Sequence, residues 1–294
     1  MIAEVKSTGK TRVLVAGATG YLGKLVVETC KREGFWVRAL ARDSERLGHV
    51  KELCDEIFVG QATQNETLNG VCDGIDIVFS SIGFMTFARK PLIWEVDYEA
   101  NMNIVRRAVS AGVKHFVYVS TIGCKEMAKT VRIAEAKEEV AKALQESGMI
   151  WSVLLPTGFF DDMRKLFDVA KKGTAYVFGD GNTKLNPIHG VDLATECVRA
   201  MKDQSLKNKF IPVGGPEVFT HQQIAEMVFE VLKLPPKVRH VPVWLLKAIS
   251  SSVRPFHRNL ADMLCFFIAI GSIKDLSTPC CGTHHLRDFF ESLV

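Results

Sequence analysis

The sequence has no CxxC pair and no cysteine and histidine grouping at zinc-ligand spacing, although it carries eight cysteines, at positions 30, 54, 72, 124, 197, 265, 280 and 281. Neither a thiolate metal site nor a disulfide framework is therefore expected. Charge of one sign is also scarce, with a formal net charge of +4 over 294 residues. The basic residues fall in scattered pairs such as Lys31/Arg32, Arg106/Arg107 and Lys171/Lys172 rather than in a run with interleaved aromatics. Such pairs read as solvated helix faces, and nucleic acid is not an expected partner. No apolar run is long enough for a bilayer. The longest, Leu260 to Ile273, is interrupted by Asp262, so no integral membrane segment is expected. It reads as a buried helix, with the wall of an apolar pocket or a membrane-surface contact as its functional alternatives. A charged N-terminal segment followed by an apolar core and cleavage site is also missing, and Ile2 to Lys10 reads as a short arm. With no disulfide pattern, a reducing, cytoplasmic setting is the expectation. The lack of internal repeats and low-complexity linkers argues against independent domains on a tether.

What the chain does have is regular alternation. Short β-branched runs at Arg12 to Ala16, Trp36 to Ala41, Glu56 to Val59, Ile75 to Ser80, Lys114 to Ser120 and Trp151 to Leu155 read as strands. Between them Tyr21 to Glu33, Trp94 to Ala111 and Val131 to Ser147 carry apolar residues at helical spacing, and Gly34, Gly112 and Gly148 follow as stops. Later, Val191 to Met201 and Thr220 to Leu232 read as helices and Phe210 to Gly214 as a strand. The fold class this implies is α/β, a doubly wound parallel Rossmann sheet with a smaller C-terminal substrate-binding cap. Residues 11–160 and 187–214 would form the nucleotide-binding part, and 161–186 with 215–294 the interwoven cap.

The run Val13 to Gly23 places Gly17, Gly20 and Gly23 at GxxGxxG spacing between an apolar strand and an amphipathic helix. Glycines permit the tight turn and close backbone approach, while the helix amino end offers unpaired N–H groups to a pyrophosphate. The second strand then bears on cofactor choice. An acidic residue near its end would hydrogen-bond both ribose hydroxyls and repel a 2′-phosphate. Here Ala41 stands in that place with Arg42 beside it, and a guanidinium fork suits phosphate oxygens. NADP(H) is the expected cofactor. Asp43 complicates the reading, since it could pair with Arg42 or with the ribose.

GATGYLG (Gly17 to Gly23), VRALAR (Val37 to Arg42), GVKHFVYVST (Gly112 to Thr121) and AKEEVAKALQESGMIWSVLLPTGFF (Ala136 to Phe160) together make the chain resemble an atypical short-chain dehydrogenase/reductase of the NAD(P)H-binding, NmrA-like kind. The resemblance runs from about Arg12 to Asp192 and more loosely beyond. It implies cofactor contacts from Gly17, Thr19, Gly20, Tyr21, Leu22, Gly23 and Arg42. On the adenine side it implies Gln61, which replaces the usual aspartate, and Ala62. It implies Ser80, Ser81 and Ile82 along the cleft, Ser120 and Lys137 near the ribose, and Pro156, Thr157, Gly158 and Phe159 near the nicotinamide.

The departure from the family pattern is specific. Members use a YxxxK pair in which tyrosine is the general acid and lysine lowers its pKa, whereas Ile133 stands four residues before Lys137. Two readings of Lys137 stay open: a ribose ligand and proton donor in the cleft, or a helix lysine paired with Glu135, Glu138 or solvent. Ser120 and Thr121 could bond a substrate carbonyl or cap the next turn. His189 reads as packed beneath a helix that Asp192 caps. At most one of Asp161 and Asp162 would face the cleft, and Tyr118 reads as core. Phe84, Phe87, Phe159, Phe160, Trp244, Phe266 and Phe267 are candidates for either core or an apolar pocket.

The functional expectation is an NADPH-dependent reductase transferring hydride to a small apolar or aromatic carbonyl or activated alkene, with catalysis through Lys137, Ser120 and Thr121. The alternatives are a non-catalytic NADP(H)-responsive binding protein and a scaffold that holds the nucleotide for stability.

Overall fold

The β-branched runs pair side by side because each is apolar on both faces and so must be covered on both. In the computed structural model, which describes residues 9–83 and 88–294, they form β1 (Arg12–Ala16), β2 (Trp36–Ala41), β3 (Glu56–Val59), β4 (Ile77–Ser80), β5 (His115–Val119) and β6 (Ile150–Pro156). After β7 (Ala175–Phe178) and β8 (Lys184–Leu185) the chain returns as β9 (Lys209–Val213). The parallel seven-stranded sheet has the order β3-β2-β1-β4-β5-β6-β9. Its order reverses between β1 and β4, where a doubly wound sheet opens a crevice at the strands' carboxyl ends. The predicted fold class is the observed one. β4 starts at Ile77 rather than Ile75 because the Ile75 N–H closes a turn onto the Cys72 carbonyl at 3.1 Å.

The crossover helices are α1 (Tyr21–Arg32), α2 (Asn101–Ser110), α3 (Cys124–Met127) and α4 (Arg132–Glu146), followed by α5 (Phe160–Ala170) and α6 (Gly190–Lys202). α1 and α6 cover one face, and their Val26, Val27, Leu193 and Ala194 are fully buried against Val13, Val15 and Val37. α2 and α4 cover the other, with Ile104, Ala108, Val140 and Leu144 on Leu14, Val78 and Phe116. Each such valine, leucine or isoleucine contributes about 1.5–3 kcal/mol. The predicted helix at 94–111 is built in two parts, a wide π turn at Glu95–Ala100 running directly into α2.

The remaining elements are β10 (Phe219–Thr220), α7 (His221–Leu232), β11 (Val238–Val241), α8 (Val243–Val253), α9 (Arg258–Ile270) and α10 (Leu286–Glu291). Phe160, Phe167, Phe229 and Phe290 give α5, α7 and α10 a second core. α9 turns back to the first half, setting Met263 and Phe266 against Ile133, Ala134 and Met127 of α3 and α4. Two polar hubs tie the tail down. Asn186 is wholly buried, and its amide donates to the Gly215 and Thr278 carbonyls at 3.1 and 2.9 Å. Asp192 accepts from the Thr283 and His284 N–H groups at 3.1 Å each and lies 2.9 Å from His284 Nδ1. It is therefore not the cap of α6. His189 Nδ1 takes that role, accepting from Val191 N–H.

At the opposite end of the sheet His115 is buried, with Nε2 3.0 Å from Ser152 Oγ. Burial, aided by the Lys207 charge, pushes its pKa down to about 4. The unfolded chain binds a proton near pH 6.5 that the native state refuses, so stability falls as pH drops through that value, the loss being complete near the native pKa. We expect this group to cost roughly 3 kcal/mol of stability by about pH 4. Urea titrations near neutrality and in mild acid test this: His115→Gln should lose much less over the same interval, and equal losses in both proteins would remove His115 as the cause.

Candidate active site

The first half of the site is the turn between β1 and α1. Gly17 has φ +92°, a left-handed conformation that favours glycine, and the Gly20 N–H donates to its carbonyl at 2.9 Å. A Cβ on Gly23 would lie 2.0 Å from the Gly17 carbonyl oxygen, so the third glycine lets α1 pack onto its own turn. A Cβ on Gly17 would lie 3.0 Å from Ser81 Oγ, which sets the turn against the end of β4 at the reversal of strand order. Gly20 differs, since its Cβ would meet only the Gly17 oxygen at 3.3 Å. A shift of a few tenths of an ångström in the turn would admit a side chain there, and the open side is where a ligand would approach. No acid stands in the first turn of α1. The N–H groups of Tyr21, Leu22 and Gly23 lack helical partners, as the first turn of any helix does. This cradle fits a pyrophosphate. Thr19 is half-buried in the turn, and the Tyr21 hydroxyl accepts from the Gly190 N–H at 3.3 Å, locking α1 onto α6.

Arg42 follows β2 and is exposed. The Asp43 carboxylate caps the next turn by accepting from the Glu45 N–H at 3.0 Å. Among the described residues it makes no ion pair with Arg42, so the guanidinium is available to an anion. Gln61 is half-buried, its amide donating to Thr63 Oγ1 at 2.9 Å, and the Ala62 carbonyl accepts from Asn103 Nδ2 at 3.0 Å.

The second half lies at the ends of β4 and β5. Ser80 is wholly buried and its hydroxyl donates to Asn101 Oδ1 at 2.7 Å. Asn101 in turn donates to the Ile82 carbonyl at 3.0 Å, so the serine's role is to shape the strand end that presents Ser81 and Ile82. Lys137 reaches across from α4. Its Nζ is 3.1 Å from Asp97 Oδ1, with the lysine side chain 14% and the aspartate side chain 3% exposed. Its partner is thus neither Glu135 nor Glu138. A Cβ on Gly83 would come within 3.5 Å of Lys137 Nζ, which puts the ammonium beside the backbone leaving β4.

Burial pulls the Lys137 pKa down, but Tyr118, Asp97 and Cys124 oppose it and the net direction is up. Burial also raises the Tyr118 phenol and the Cys124 thiol, so both are neutral near pH 7. Asp97 is then the anion that keeps the lysine charged. Tyr118 is core, as its strand position suggests, yet its buried hydroxyl finds no hydrogen-bond partner among the described residues. The Lys137 Nζ lies 6.0 Å from its ring centroid.

Ser120 is buried and hydrogen-bonds the Cys124 thiol, while Thr121 Oγ1 donates to the Pro156 carbonyl at 3.1 Å. Thr157 Oγ1 donates to the Asn186 carbonyl at 2.6 Å, and the Gly158 carbonyl accepts from the Ile188 N–H. The turn from Pro156 to Gly158 is thus tied both to the end of β5 and to the segment that precedes α6. Ile133, at the expected tyrosine position, is buried in the apolar contact with α9. Of the aromatic candidates, Phe160 and Phe266 are core and Trp244 stands outside on α8, while Phe84 and Phe87 lie outside the described residues, as do residues 2–8 of the predicted arm. Sequence reasoning missed Asp97, Asn101 and Asn186. The one available signal was an acid and an amide four apart, Asp97 and Asn101, which share a face of a helical run that also carries Glu95, Glu99, Arg106 and Arg107.

Among the described residues no helix is long and apolar enough to cross a membrane, and no cluster of His, Cys, Asp or Glu could hold a metal.

The family model described as NAD(P)H-binding matches residues 17–204. The chain is 29% identical over 320 residues to the chloroplastic divinyl chlorophyllide a 8-vinyl-reductase of Zea mays, covering 97% of this chain and 80% of the relative. It is 28% identical over 272 residues to the photosystem II assembly factor Ycf39 of Synechocystis sp., covering 90% and 82%. Its fold is shared with the NADPH-dependent quinone oxidoreductase QOR2 of Escherichia coli, solved with NADPH, at TM-score 0.77, 18% identity and coverage of 96% and 99%. With its glycine cradle at the sheet's switch point and a family match over most of its length, this chain belongs to the NAD(P)H-binding family.

Proposed function

We propose that the chain is an NADPH-dependent reductase acting on an apolar carbonyl or activated alkene. The observation that carries this reading is the charged Lys137, held by a buried Asp97 beside the ends of β4 and β5 and across from the glycine turn. The names of the maize and Escherichia coli proteins support it, since both are reductive enzymes and the first acts on a vinyl group. NADPH, when bound, supplies a hydride, which leaves negative charge on the acceptor and one proton still to be delivered.

In this reading Gly17, Thr19, Gly20, Tyr21, Leu22 and Gly23 hold the pyrophosphate through the turn and the α1 amino end. Arg42 holds the 2′-phosphate, Gln61 and Ala62 border the adenine, and Ser81 and Ile82 with Pro156 to Phe159 line the two sides of the cleft. Lys137 hydrogen-bonds the nicotinamide ribose. An ammonium held so firmly protonated is a strong hydrogen-bond donor and a weak acid. Its contribution is therefore to stabilise the negative charge developing on the acceptor. The proton itself comes from the Ser120 or Thr121 hydroxyl or from water, because Ile133 has none to give. The C-terminal elements after α6 close over the acceptor. The eight unpaired thiols fit a reducing compartment; the cytoplasm meets that condition, and so does the chloroplast of the maize relative.

Arg42 gives a direct test of cofactor choice. Losing one charge-assisted fork at an exposed site should weaken NADPH binding by about ten- to a hundredfold. Arg42→Ala should do this while leaving NADH affinity within about twofold, as measured by quenching of protein fluorescence. Equal losses for both nucleotides would remove Arg42 from the 2′-phosphate site.

A second reading has its own support, a cofactor-binding protein that does no chemistry, since the family tyrosine is replaced by a buried Ile133 and one relative is an assembly factor. Rapid mixing of the NADPH complex with quinones and conjugated vinyl compounds separates the two. A single-turnover loss of nicotinamide absorbance with any acceptor establishes the reductase, and none across the panel leaves the binding protein.

A further inference from the structure

We infer that α8 and the turn after it form a docking face for an anionic lipid surface. α8 is held to the protein along one side only. Leu246 and Ser250 are buried, and Ser250 Oγ donates to the Ala261 carbonyl of α9 at 3.1 Å. This fixes the helix rotation and turns the other side outward. There Trp244 is 69% exposed, and Phe256, in the turn, is 77% exposed. Leu245 and Ile249, one turn apart, are partly exposed on a neighbouring flank. Single exposed apolar residues are ordinary, but two large aromatics exposed on one short stretch, one in the first turn of α8 and one in the turn that follows it, are not.

The stretch of chain that carries them is basic. From Lys233 to Ala261 the chain carries Lys233, Lys237, Arg239, Lys247, Arg254 and Arg258 and no aspartate or glutamate. Among the described residues only Arg254 of these six has an acidic partner, Asp262 at 3.1 Å.

This arrangement suits a bilayer better than a protein. Protein interfaces are depleted in lysine and concentrate their aromatics in one desolvated centre. Here Trp244 stands in the first turn of α8 and Phe256 three residues beyond its last, with Ala248, Ser251 and Ser252 between them. Two ring anchors at the ends and basic side chains around them let a helix lie flat, with its rings at the headgroup boundary and its cations among the phosphates. α8 rests on α9, and α9 rests on Ile133 of α4, so the docked face backs onto the side of the molecule that carries Lys137.

The experiment is cosedimentation of the full chain with vesicles of phosphatidylcholine alone or with roughly one-third phosphatidylglycerol. The wild type should bind the anionic vesicles and lose that binding in molar salt. The double variant Trp244→Ser/Phe256→Ser should bind at least about tenfold less, and Lys247→Glu at least about fivefold less. Both should keep wild-type NADPH affinity, which shows that they fold. Three results would overturn the proposal: no binding by the wild type, equal binding to neutral and anionic vesicles, or undiminished binding by the double variant. A concentration-dependent dimer that the double variant dissociates, without vesicle binding, would assign the face to a second copy of the chain instead.

Discussion

Lys137→Met is expected to lower the rate of hydride transfer by about a hundred- to a thousandfold, the range seen when one preorganised donor at a developing charge is removed. It should also destabilise the protein by about 3–5 kcal/mol, since Asp97 would be left buried without its counter-charge. The second effect is what makes the experiment decisive. Asp97→Asn/Lys137→Met removes both charges, and an amide beside a thioether of similar length should recover most of the lost stability in urea titrations. The rate should not recover with it. A double variant that regained activity along with stability would show that Lys137 serves the fold alone. Asp97→Asn by itself should keep the ammonium but loosen its position, giving an intermediate rate. Its pH profile should also shift, because burial then acts on the lysine with less opposition.

Gly23→Ala carries the other large effect. Its Cβ would meet the Gly17 oxygen at 2.0 Å, the Gly17 carbonyl carbon at 2.6 Å and the Ala18 Cα at 2.9 Å, all of them backbone. No side-chain rotation relieves that clash, so the turn must move away from α1 and take its N–H groups out of register with the phosphates. Overpacking of this kind costs about 1–3 kcal/mol of stability. Two displaced charge-assisted hydrogen bonds should weaken NADPH by about a hundredfold or more. Gly20→Ala is the control, because its Cβ has only one contact, at 3.3 Å. It should leave stability within about 1 kcal/mol and still impair NADPH, since the methyl occupies the open side of the turn. Calorimetry of NADPH binding with thermal unfolding of each variant checks both claims; full affinity in Gly20→Ala would place the pyrophosphate elsewhere.

The parts of this molecule that the sequence makes legible are those whose cause is local. A buried parallel strand must be apolar at every position, so the runs at Val13 to Ala16 and Phe116 to Val119 declare themselves. The GxxGxxG spacing works because the clash at Gly23 involves residues only six positions away. Lys137 was visible as a candidate through its family pattern, but its partner was not. Asp97 lies forty residues earlier, flanked by Glu95 and Glu99 in what reads as a solvated helix face. The π turn there rotates the following residues relative to an α-helix, and periodicity assumes no such turn. Asn186 and Asp192 were hidden for a similar reason, since their partners at 278, 283 and 284 lie about ninety residues downstream. The tail segments they hold have no periodicity of their own to read.

Ile133 bears on how such a protein can change over evolutionary time. It is wedged among Ile93, Met127, Met263 and Phe266, so a tyrosine returning to that position would drive its hydroxyl into hydrocarbon and force α9 off α4. Installing a tyrosine here would therefore take more than one substitution: neighbours would have to shrink first, each at a loss of packing. The packing of α9 on α4 thus closes this position to any polar side chain, whatever chemistry the neighbouring cleft performs.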